Sequence, residues 1–499
     1  MKNKYDVVII GSGLGGLFSG ALLAKEGKKV CILEKHHQIG GNLQVFKRKD
    51  CHFSAGMHYA GSLEKNQILG KIFSYLDIYK DLKITRLDDN CFEKIIIGNN
   101  EYCYATGMEN FKNNLLNYFP NEKKAIEAYT LKLEQIWESS DILNLRELNF
   151  NEIPHFEEYS ECAFKFIDSI TDNKELKALL AATNGLYAGI KEKTPLFIHA
   201  NINSFFINSA WRIAESGENI ANLLQKKIED NGGNVFPKKE VKQFEFEGSI
   251  ISSAIVNDGE KFTANIYISN IHPNSTIKLL EPGKFRKAYI HRIENLENSI
   301  SSFTLFIVLK KGKLKHVNSN IYFSSTNNVW DNCEYTQDTW PKGYMMYTTE
   351  DHNMKGFAES IVIISAMKYE DVKQWENTRI KQRGEDYLKF KENKAQKLLD
   401  LVYIKFPEVK RSIDTLYSAT PLTYRDYTNT FEGSMYGIVK DCNDPLRSFI
   451  STRTKVPNLL LTGQNLNLHG MLGVIMTAFQ TCFAIIDINK VIREISNEY

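Results

Sequence analysis

Residues 6–16 read Asp-Val-Val-Ile-Ile-Gly-Ser-Gly-Leu-Gly-Gly, an apolar strand that runs directly into a glycine-rich turn. Residues 14–26 then carry the apolar spacing of a helix, and residues 29–34 form a second apolar strand. A strand, a helix and a second strand in this order indicate two parallel strands joined by a right-handed crossover. The chain therefore begins as an α/β fold, with helices covering a parallel sheet.

The glycine-rich turn has the spacing of a loop that binds the pyrophosphate of a dinucleotide. Gly11 allows the tight turn, Gly13 lets the backbone approach the pyrophosphate, and Gly16 permits close packing of helix on strand. The helix that starts at Leu14 would direct free N–H groups towards the phosphates. The alternative is a glycine turn that serves packing alone, but the ordered strand, turn, helix and second strand favour nucleotide binding.

Glu34 ends the second strand, where a carboxylate can accept hydrogen bonds from ribose hydroxyl groups. An acid at this position would repel a 2′-phosphate, so we expect a nucleotide of the ADP-ribose type without that phosphate. These residues do not distinguish FAD from NAD.

The composition is that of a folded protein of 499 residues, long enough for two interleaved domains. The 62 basic and 60 acidic residues give a net charge of +2, which offers no electrostatic reason to expect nucleic acid as a partner. The eight cysteines contain no CxxC pair, so we expect reduced thiols and a cytoplasmic protein. No cluster has the spacing of metal ligands, and no apolar run is long enough to span a membrane. The oligomeric state is not indicated.

Two later segments connect the loop to a known family. Gly41 and Asn42 follow Gly40 in a pair that resembles the second glycine pair of the FAD-binding class of amine oxidases and phytoene desaturases. Taken alone this pair is as well explained by an ordinary turn, but its position after Glu34 favours a cofactor contact. Residues 53–61, Phe-Ser-Ala-Gly-Met-His-Tyr-Ala-Gly, resemble a stretch of the retinol saturases (all-trans-retinol 13,14-reductases) and related bacterial oxidoreductases. Ser54 stands where that family usually has Asp.

The resemblance continues in the second half of the chain. It covers residues 268–270 (Ile-Ser-Asn), 419–423 (Ala-Thr-Pro-Leu-Thr), 433–437 (Gly-Ser-Met-Tyr-Gly) and 461–464 (Leu-Thr-Gly-Gln), the last followed by Gly470 and Gly473. Asn465 occupies a position where Asp is common in the family. Residues 62–215 and 286–415 match poorly, which indicates a shared cofactor frame with a divergent substrate domain.

The resemblance implies FAD as the cofactor and an α/β fold with a discontinuous, Rossmann-like FAD-binding domain of the glutathione-reductase-2 type. That domain is expected to comprise residues 1–75, 214–285 and 416–499, and residues 76–213 and 286–415 to form an α+β substrate domain with a mixed sheet and helices. The residues expected to contact FAD are Gly11, Gly13, Leu14, Gly16, Glu34, Lys35, Gly41, Asn42, Val241, Gly463, Gln464, Leu472 and Gly473. Val241 is placed on the adenine only by resemblance, since a buried β-branched residue needs no such role.

A helix from about Leu472 to Ile486 is expected to point its first turn at the flavin, where its positive end would stabilise the charge of the reduced ring. His58 and Tyr59 are the candidate catalytic residues, because the matched motif runs alongside the flavin in the family. Histidine can donate or accept a proton near neutral pH. The alternative for His58 is a hydrogen-bonded structural role. The aromatic segment 195–213 is explained either by a lipophilic tunnel, by contact with a membrane surface, or by the core.

The implied function is that of an FAD-dependent oxidoreductase acting on C=C or CH–CH bonds of a lipophilic, polyene-like substrate. The same frame can work in reverse as a desaturase, or without net redox change as a polyene cis–trans isomerase. The sequence contains no second strand–GxGxxG–helix unit, so NAD(P)H, if it is the electron donor, would bind transiently or act through a partner. An alternative of another class is a non-enzymatic escort resembling the Rab GDP-dissociation inhibitors, which the intact glycine motifs disfavour.

Overall fold

The structure is a computed structural model, and it describes residues 4–148, 157–213 and 217–498. In chain order the strands are β1 (Lys4–Ile10), β2 (Val30–Leu33), β3 (Val45–Arg48), β4 (Cys51–Ser54), β5 (Ala60–Gly61), β6 (Ile84–Arg86), β7 (Glu93–Ile97), β8 (Asn100–Tyr104), β9 (Ala210–Ile213), β10 (Asn234–Phe236), β11 (Val241–Glu247), β12 (Ile250–Val256), β13 (Lys261–Ser269), β14 (Ser301–Leu309), β15 (Asn320–Ser324), β16 (Gly343–Glu350), β17 (Ala358–Met367), β18 (Ile413–Ala419) and β19 (Leu459–Leu461).

The α-helices are α1 (Leu14–Lys25), α2 (Ile68–Tyr75), α3 (Met108–Tyr118), α4 (Lys123–Ser139), α5 (Glu157–Ser160), α6 (Ala163–Ile170), α7 (Lys174–Leu180), α8 (Leu196–Asn208), α9 (Gly217–Asp230), α10 (Pro273–Lys278), α11 (Lys287–Glu294), α12 (Glu385–Lys405), α13 (Glu408–Ser412), α14 (Pro421–Thr428), α15 (Pro445–Ser448), α16 (Gly470–Cys482) and α17 (Ile488–Glu498). Short 3₁₀ helices span Gly41–Leu43, Tyr79–Asp81, Pro120–Glu122, Asn184–Tyr187, Val329–Cys333, Tyr369–Trp375 and Phe431–Gly433.

The main sheet draws its strands from three distant parts of the chain. The order is β10-β2-β1-β13-β12-β11, with β19 also paired to β13, and the five strands β10, β2, β1, β13 and β19 are parallel. Ile268 of β13 pairs with Ile9 on one side and with Leu460 on the other. The α/β fold expected from the first 34 residues is confirmed.

Helix α1 is apolar on nearly every side because it is buried under other helices as well as against the sheet. Leu17, Phe18 and Leu22 are fully buried, and the ring of Phe18 lies 5.4 Å from that of Phe479 in α16. Gly20 lets the helix approach the sheet closely, because a Cβ there would lie 2.9 Å from the Ile32 side chain. Burial of this kind is the main source of stability for such a layer.

The second large sheet has the order β18-β14-β17-β16-β15-β7-β8 and is mixed, as expected from the sequence. Its neighbours are antiparallel except for β15 and β7, which run parallel. Strand β14 is buried along its whole length, because apolar clusters cover both faces of the sheet. The helices α3, α4, α6, α7 and α8 share an apolar cluster with the face of β7 and β8 that carries Ile95 and Tyr102.

Two details of the sequence analysis are corrected by the structure. Cys91 and Cys103 form a disulfide at the base of the β7–β8 hairpin, so the expectation that all cysteines are reduced thiols was wrong. The last-but-one helix spans Gly470–Cys482 rather than about Leu472 to Ile486, with His469 as its N-cap and Phe483 as its C-cap. The domain boundaries stay a prediction, and the boundary at 213/214 falls beside residues 214–216, which lie outside the described residues. Within the described ranges, no helix is both long and apolar enough to cross a membrane.

Candidate functional site

The carboxyl ends of four parallel strands meet at one edge of the main sheet. Gly11 follows β1, Glu34 follows β2, Asn270 follows β13 and Gly463 follows β19. Ligands of open α/β sheets bind at this edge, outside the ends of the strands. The three distant segments therefore converge where a dinucleotide would bind.

The side chain of Asn270 joins the first and last of these segments. Its Nδ2 donates to the carbonyl oxygen of Gly11 at 3.3 Å. A Cβ added to Gly15 or to Gly463 would lie 2.5 Å from its Oδ1, and a Cβ on Gly13 would lie 3.0 Å from its Nδ2. The glycines of both motifs thus make room for one amide side chain, which the sequence analysis had noted only as part of a motif.

Glu34 is held in a fixed orientation by the glycine-rich turn. Its Oε2 accepts hydrogen bonds from the backbone N–H of Ser12 at 2.9 Å and from the Ser12 hydroxyl at 2.6 Å, while Oε1 accepts from the N–H of His36 at 2.8 Å. The turn also pairs with the second glycine motif, because Gly13 and Gly40 form a parallel β-bridge. The carboxylate lies at the wall of a cavity, with lone pairs left for a ligand hydroxyl.

A cavity of about 500 Å³ lies at this edge of the sheet. Its wall includes most residues expected to contact the cofactor, namely Gly11, Gly13, Leu14, Glu34, Lys35, Gly41, Asn42, Val241, Gly463, Gln464 and Leu472. Gly16 and Gly473 do not face the cavity. A Cβ on Gly16 would lie 2.1 Å from the Gly11 carbonyl oxygen, and one on Gly473 would lie 2.4 Å from the Leu468 backbone, so both glycines allow close packing behind the wall.

The cavity wall contains polar atoms that lack a protein partner. His469, the N-cap of α16, is only 5% exposed, and neither of its ring nitrogens makes a hydrogen bond within the described residues. Such a buried polar side chain is costly unless a ligand or water satisfies it. Together with the open backbone at Gly13 and the fixed carboxylate of Glu34, this fits a dinucleotide cofactor. Among the described residues, no cluster of three or more His, Cys, Asp or Glu could hold a metal.

A second cavity of about 170 Å³ adjoins the first. The two share part of their walls, including Asn42, Gly56, His58, Tyr59 and Tyr436. We call this second cavity the apolar chamber. Much of the rest of its wall is formed by residues of β7, β15, β16 and β17, such as Ile95, Ile97, Phe323, Met345 and Ile364, and residues of segments 182–188 and 329–333 contribute to it. No Lys, Arg, Asp or Glu of the described chain lines it. The chamber is therefore suited to an uncharged, lipophilic ligand.

His58 borders both cavities, but its ring is neutral. Its Nδ1 lies 3.1 Å from the hydroxyl oxygen of Tyr347, and its backbone carbonyl accepts from Arg212 at 2.9 Å. Burial, with a smaller contribution from the nearby Arg212 charge, lowers the pKa of His58 to about 3. The imidazole is thus unprotonated near neutral pH and can act there as a hydrogen-bonding group. Its catalytic role stays a prediction.

Tyr59 borders both cavities and contacts a buried acid that the sequence analysis did not identify. The Tyr59 hydroxyl donates to Oε1 of Glu93 and lies 3.1 Å from the hydroxyl of Tyr322. Glu93 opens β7, and Tyr322 lies on the neighbouring parallel strand β15. In the sequence, the only sign of Glu93 was an acidic residue beside the apolar run Ile95–Ile97. Such a pattern by itself indicates the end of a strand rather than a catalytic site.

The chain is similar in sequence to known proteins along nearly its whole length. Residues 9–76 match the family model of an NAD(P)-binding Rossmann-like domain. An all-trans-retinol 13,14-reductase of Danio rerio is 27% identical over 96% of this chain and 86% of its own length. The chain is homologous to the all-trans-retinol 13,14-reductases. A chloroplastic prolycopene isomerase of Daucus carota is 24% identical over 87% of this chain and 72% of its own length.

Solved structures agree with the fold. An oxidoreductase from Methanosarcina mazei superposes with a TM-score of 0.65 at 14% identity, covering 96% of this chain and 100% of its own. Cyclohexylamine oxidase from Brevibacterium oxydans gives a TM-score of 0.60 at 12% identity over 99% of each chain. A Rab GDI from Plasmodium falciparum gives 0.51 at 11% identity, covering 96% of this chain and 97% of its own. The family resemblance and the fold class inferred from the sequence are confirmed.

Proposed function

We propose that the chain is an FAD-dependent oxidoreductase that acts on C=C or CH–CH bonds of a lipophilic, polyene-like substrate. The observation that carries the proposal is the pair of adjoining cavities. One is lined by the dinucleotide motifs and the other by uncharged side chains, and they share the wall formed by His58 and Tyr59. A substrate in the chamber would meet a cofactor ring at that shared wall.

The chain's own residues would bind and orient the cofactor. Glu34 would accept hydrogen bonds from ribose hydroxyls, the backbone at Gly13 would face the pyrophosphate, and the first turn of α16 would stabilise negative charge at the flavin. Bound FAD supplies a two-electron hydride transfer. Val241 and Lys35 both lie on the cavity wall, and the chain just before Val241 contacts Glu34, since the backbone N–H of Lys239 donates to the Glu34 carbonyl at 2.8 Å; this arrangement supports an adenosine contact.

The uncharged chamber favours a neutral polyene over a charged substrate. A carboxylate or ammonium group would lose its hydration there without an opposite charge to replace it. Reduction of a double bond is favoured by the similarity to proteins named retinol 13,14-reductases, which covers nearly the whole chain. Polyene isomerisation is the second candidate, because a protein named prolycopene isomerase is also similar; a desaturase would use the same frame.

A non-enzymatic escort of the Rab GDI type shares the fold, but the open cradle at Gly13 and the unsatisfied His469 favour a cofactor-binding protein. NAD(P)H remains the candidate electron donor, binding transiently. Peripheral contact with a membrane is our proposed route by which a lipophilic substrate reaches the chamber; the cytoplasmic location expected from the sequence stays a prediction, and the Cys91–Cys103 disulfide removes its original basis.

The first test of this function is spectroscopic. We expect the purified protein to be yellow, to release FAD on denaturation, and to be re-oxidised by neutral polyenes after anaerobic reduction. A panel of retinoids, carotenoids and saturated lipids, with NADH and NADPH as donors, would identify substrate and donor. A colourless protein that cannot be reconstituted with FAD would contradict the proposal and revive the escort function.

A further inference from the structure

A buried carboxyl group lies directly behind the shared wall of the two cavities. Glu93 is 1% exposed, and the Tyr59 hydroxyl donates to its Oε1. Tyr322 extends the hydrogen-bonded chain, with 3.1 Å between the two phenolic oxygens. Tyr59 lines both cavities, whereas Tyr322 lines only the apolar chamber. A continuous path of exchangeable protons therefore leads from Glu93 to the place where cofactor and substrate would meet.

The surroundings of Glu93 favour its protonated form. Its Oε2 makes no hydrogen bond within the described residues, an arrangement that is costly for an anionic oxygen. Arg212, from β9, is the cation that acts on Glu93. The hydroxyls of Tyr59 and Tyr322 lie beside it, and Tyr104, its register partner in β8, is also near, although the Tyr104 hydroxyl donates to the Leu179 carbonyl.

Burial is the largest influence on this carboxyl group and raises the pKa of Glu93 to about 8. The hydrogen bond from Tyr59, the amide of Asn320 and the charge of Arg212 oppose that rise without cancelling it. A carboxyl group with such a pKa holds a proton at neutral pH and can transfer that proton to a neighbouring group inside the protein.

His58 is less suited to the same task. Its neutral ring carries no extra proton near pH 7, and its Nδ1 is already paired with Tyr347. Tyr59 also lies at the shared wall, its hydroxyl carries a proton, and that hydroxyl is hydrogen-bonded to the Glu93 carboxyl group, which can supply another proton.

We propose that Tyr59 delivers the proton to the substrate and that Glu93 is the buried store that replenishes it. This inference rests on the proposed function, in which a reduced flavin is the hydride donor. When a C=C bond is reduced, one carbon gains the hydride and its electron pair. The Tyr59 hydroxyl, which donates to Glu93 in the structure, first turns its proton to the substrate and accepts a hydrogen bond from the protonated Glu93 carboxyl. The neighbouring carbon then forms a C–H bond with the proton of the Tyr59 hydroxyl, using the electron pair of the former π bond. The proton of the Glu93 carboxyl moves to the phenolate oxygen, and Glu93 is left as a carboxylate that regains a proton from solvent before the next turnover.

The position of Tyr59 satisfies the geometry of such an addition. The two carbons of a double bond are adjacent, so the proton donor must lie close to the site of hydride transfer. Tyr59 lies at the junction of the two cavities, and its ring packs on Phe206, 4.4 Å between centroids, which holds it there. Tyr59 is thus the catalytic residue, and Glu93 acts through it.

The protonation of Glu93 can be measured without turnover. Infrared difference spectra of the FAD-loaded wild-type protein and of Glu93→Gln should show a protonated carboxyl band at pH 6 that is absent from the variant. The wild-type band should disappear as the pH rises through about 8. Absence of the band at pH 6 would mean that Glu93 is ionised and would overturn the proton store.

Kinetics test the delivery step. We expect Glu93→Gln and Tyr59→Phe to retain FAD but to lower kcat by on the order of 10²-fold, the usual contribution of a general acid. The wild-type kcat/KM should fall as the pH rises through about 8, because Glu93 is then deprotonated. This alkaline limb of the pH profile should be absent from Glu93→Gln. Tyr322→Phe should have a smaller effect and keep the limb, and Tyr104→Phe, whose hydroxyl bonds the Leu179 carbonyl instead, should also keep it.

Two failures are distinguishable. A protein that never binds FAD overturns the proposed function and the delivery step with it. A flavin-loaded enzyme whose Glu93→Gln variant keeps the wild-type rate and pH profile overturns the proton store alone.

Discussion

At the scale of single residues, the site depends on where a side chain is absent as much as on where one is present. Gly13 has an ordinary negative φ of −61°, so its conformation does not require glycine. Glycine is required here because a side chain on residue 13 would project beside the Asn270 amide and into the large cavity. Its role can therefore be tested without straining the backbone.

The substitution Gly13→Val should remove the cofactor while leaving the fold intact. The branched side chain would occupy the space that the pyrophosphate needs, and Asn270 would shift by a few tenths of an ångström to admit the new Cβ. We expect the ratio of flavin to protein, measured by absorbance, to fall at least tenfold, on the order of 1.4 kcal/mol or more in binding.

Ala264→Val is a matched control for Gly13→Val, because Ala264 lies in β13 of the same sheet but away from the cavity wall. This control should keep the wild-type flavin ratio. Full FAD occupancy in Gly13→Val would refute the pyrophosphate assignment.

At the scale of elements, helix α16 combines a positive end with an unsatisfied side chain. Its N-cap His469 makes no capping hydrogen bond, and burial lowers the pKa of that imidazole to about 3, with a smaller contribution from Lys440. The neutral ring can donate one N–H into the cavity. A donor at this position would stabilise the reduced flavin more than the oxidised form.

We expect His469→Leu to lower the two-electron reduction potential of the bound flavin. A hydrogen bond to a charged group contributes about 1.5–3 kcal/mol, which corresponds to about 30–60 mV for a two-electron couple. The potential would be measured by titration against a reference dye. Met476→Leu, in the same helix and facing the core, should leave the potential unchanged. An unaltered potential in His469→Leu would remove this residue from the flavin site.

At the scale of the whole molecule, one ligand would contact segments that are hundreds of residues apart. The cavity wall includes Gly13, Val241 and Gly463, which belong to three different parts of the main sheet. A ligand that binds only the folded state stabilises it by mass action. Bound FAD should therefore stabilise the whole main sheet against unfolding.

Adding FAD to the apoprotein at about 100 times its Kd should stabilise the fold by about 2.7 kcal/mol. This would raise Tm by several degrees, as measured by circular dichroism or calorimetry at fixed protein concentration. Gly13→Val should show no such rise at the same FAD concentration. Equal increases in both proteins would indicate that FAD binds elsewhere.

The sequence could predict the elements that carry a local pattern. The strand, turn and helix of residues 6–26 were recognisable because apolar periodicity and glycine spacing are local properties. The second strand at residues 29–34 was located for the same reason. The carboxyl-terminal turn at Gly463 was identified only through its family resemblance, since three glycines in a short segment have many explanations.

Glu93 shows why the rest could not be predicted. Its partner Tyr59 is 34 positions away and its neighbour Tyr322 lies on a strand paired in parallel, so no spacing rule connects them. The disulfide between Cys91 and Cys103 could not be predicted for a similar reason, because only the β7–β8 hairpin brings the two sulfurs together.

The sequence by itself determined the α/β fold, the glycine-rich dinucleotide loop and the resemblance to the retinol 13,14-reductases, because each of these depends on short runs of neighbouring residues. Only the tertiary structure decided which groups share a wall, and in which direction burial shifts the pKa values of His58 and Glu93. Those properties depend on burial and on contacts between distant strands, and a side chain's desolvation is fixed only when every element around it has been placed.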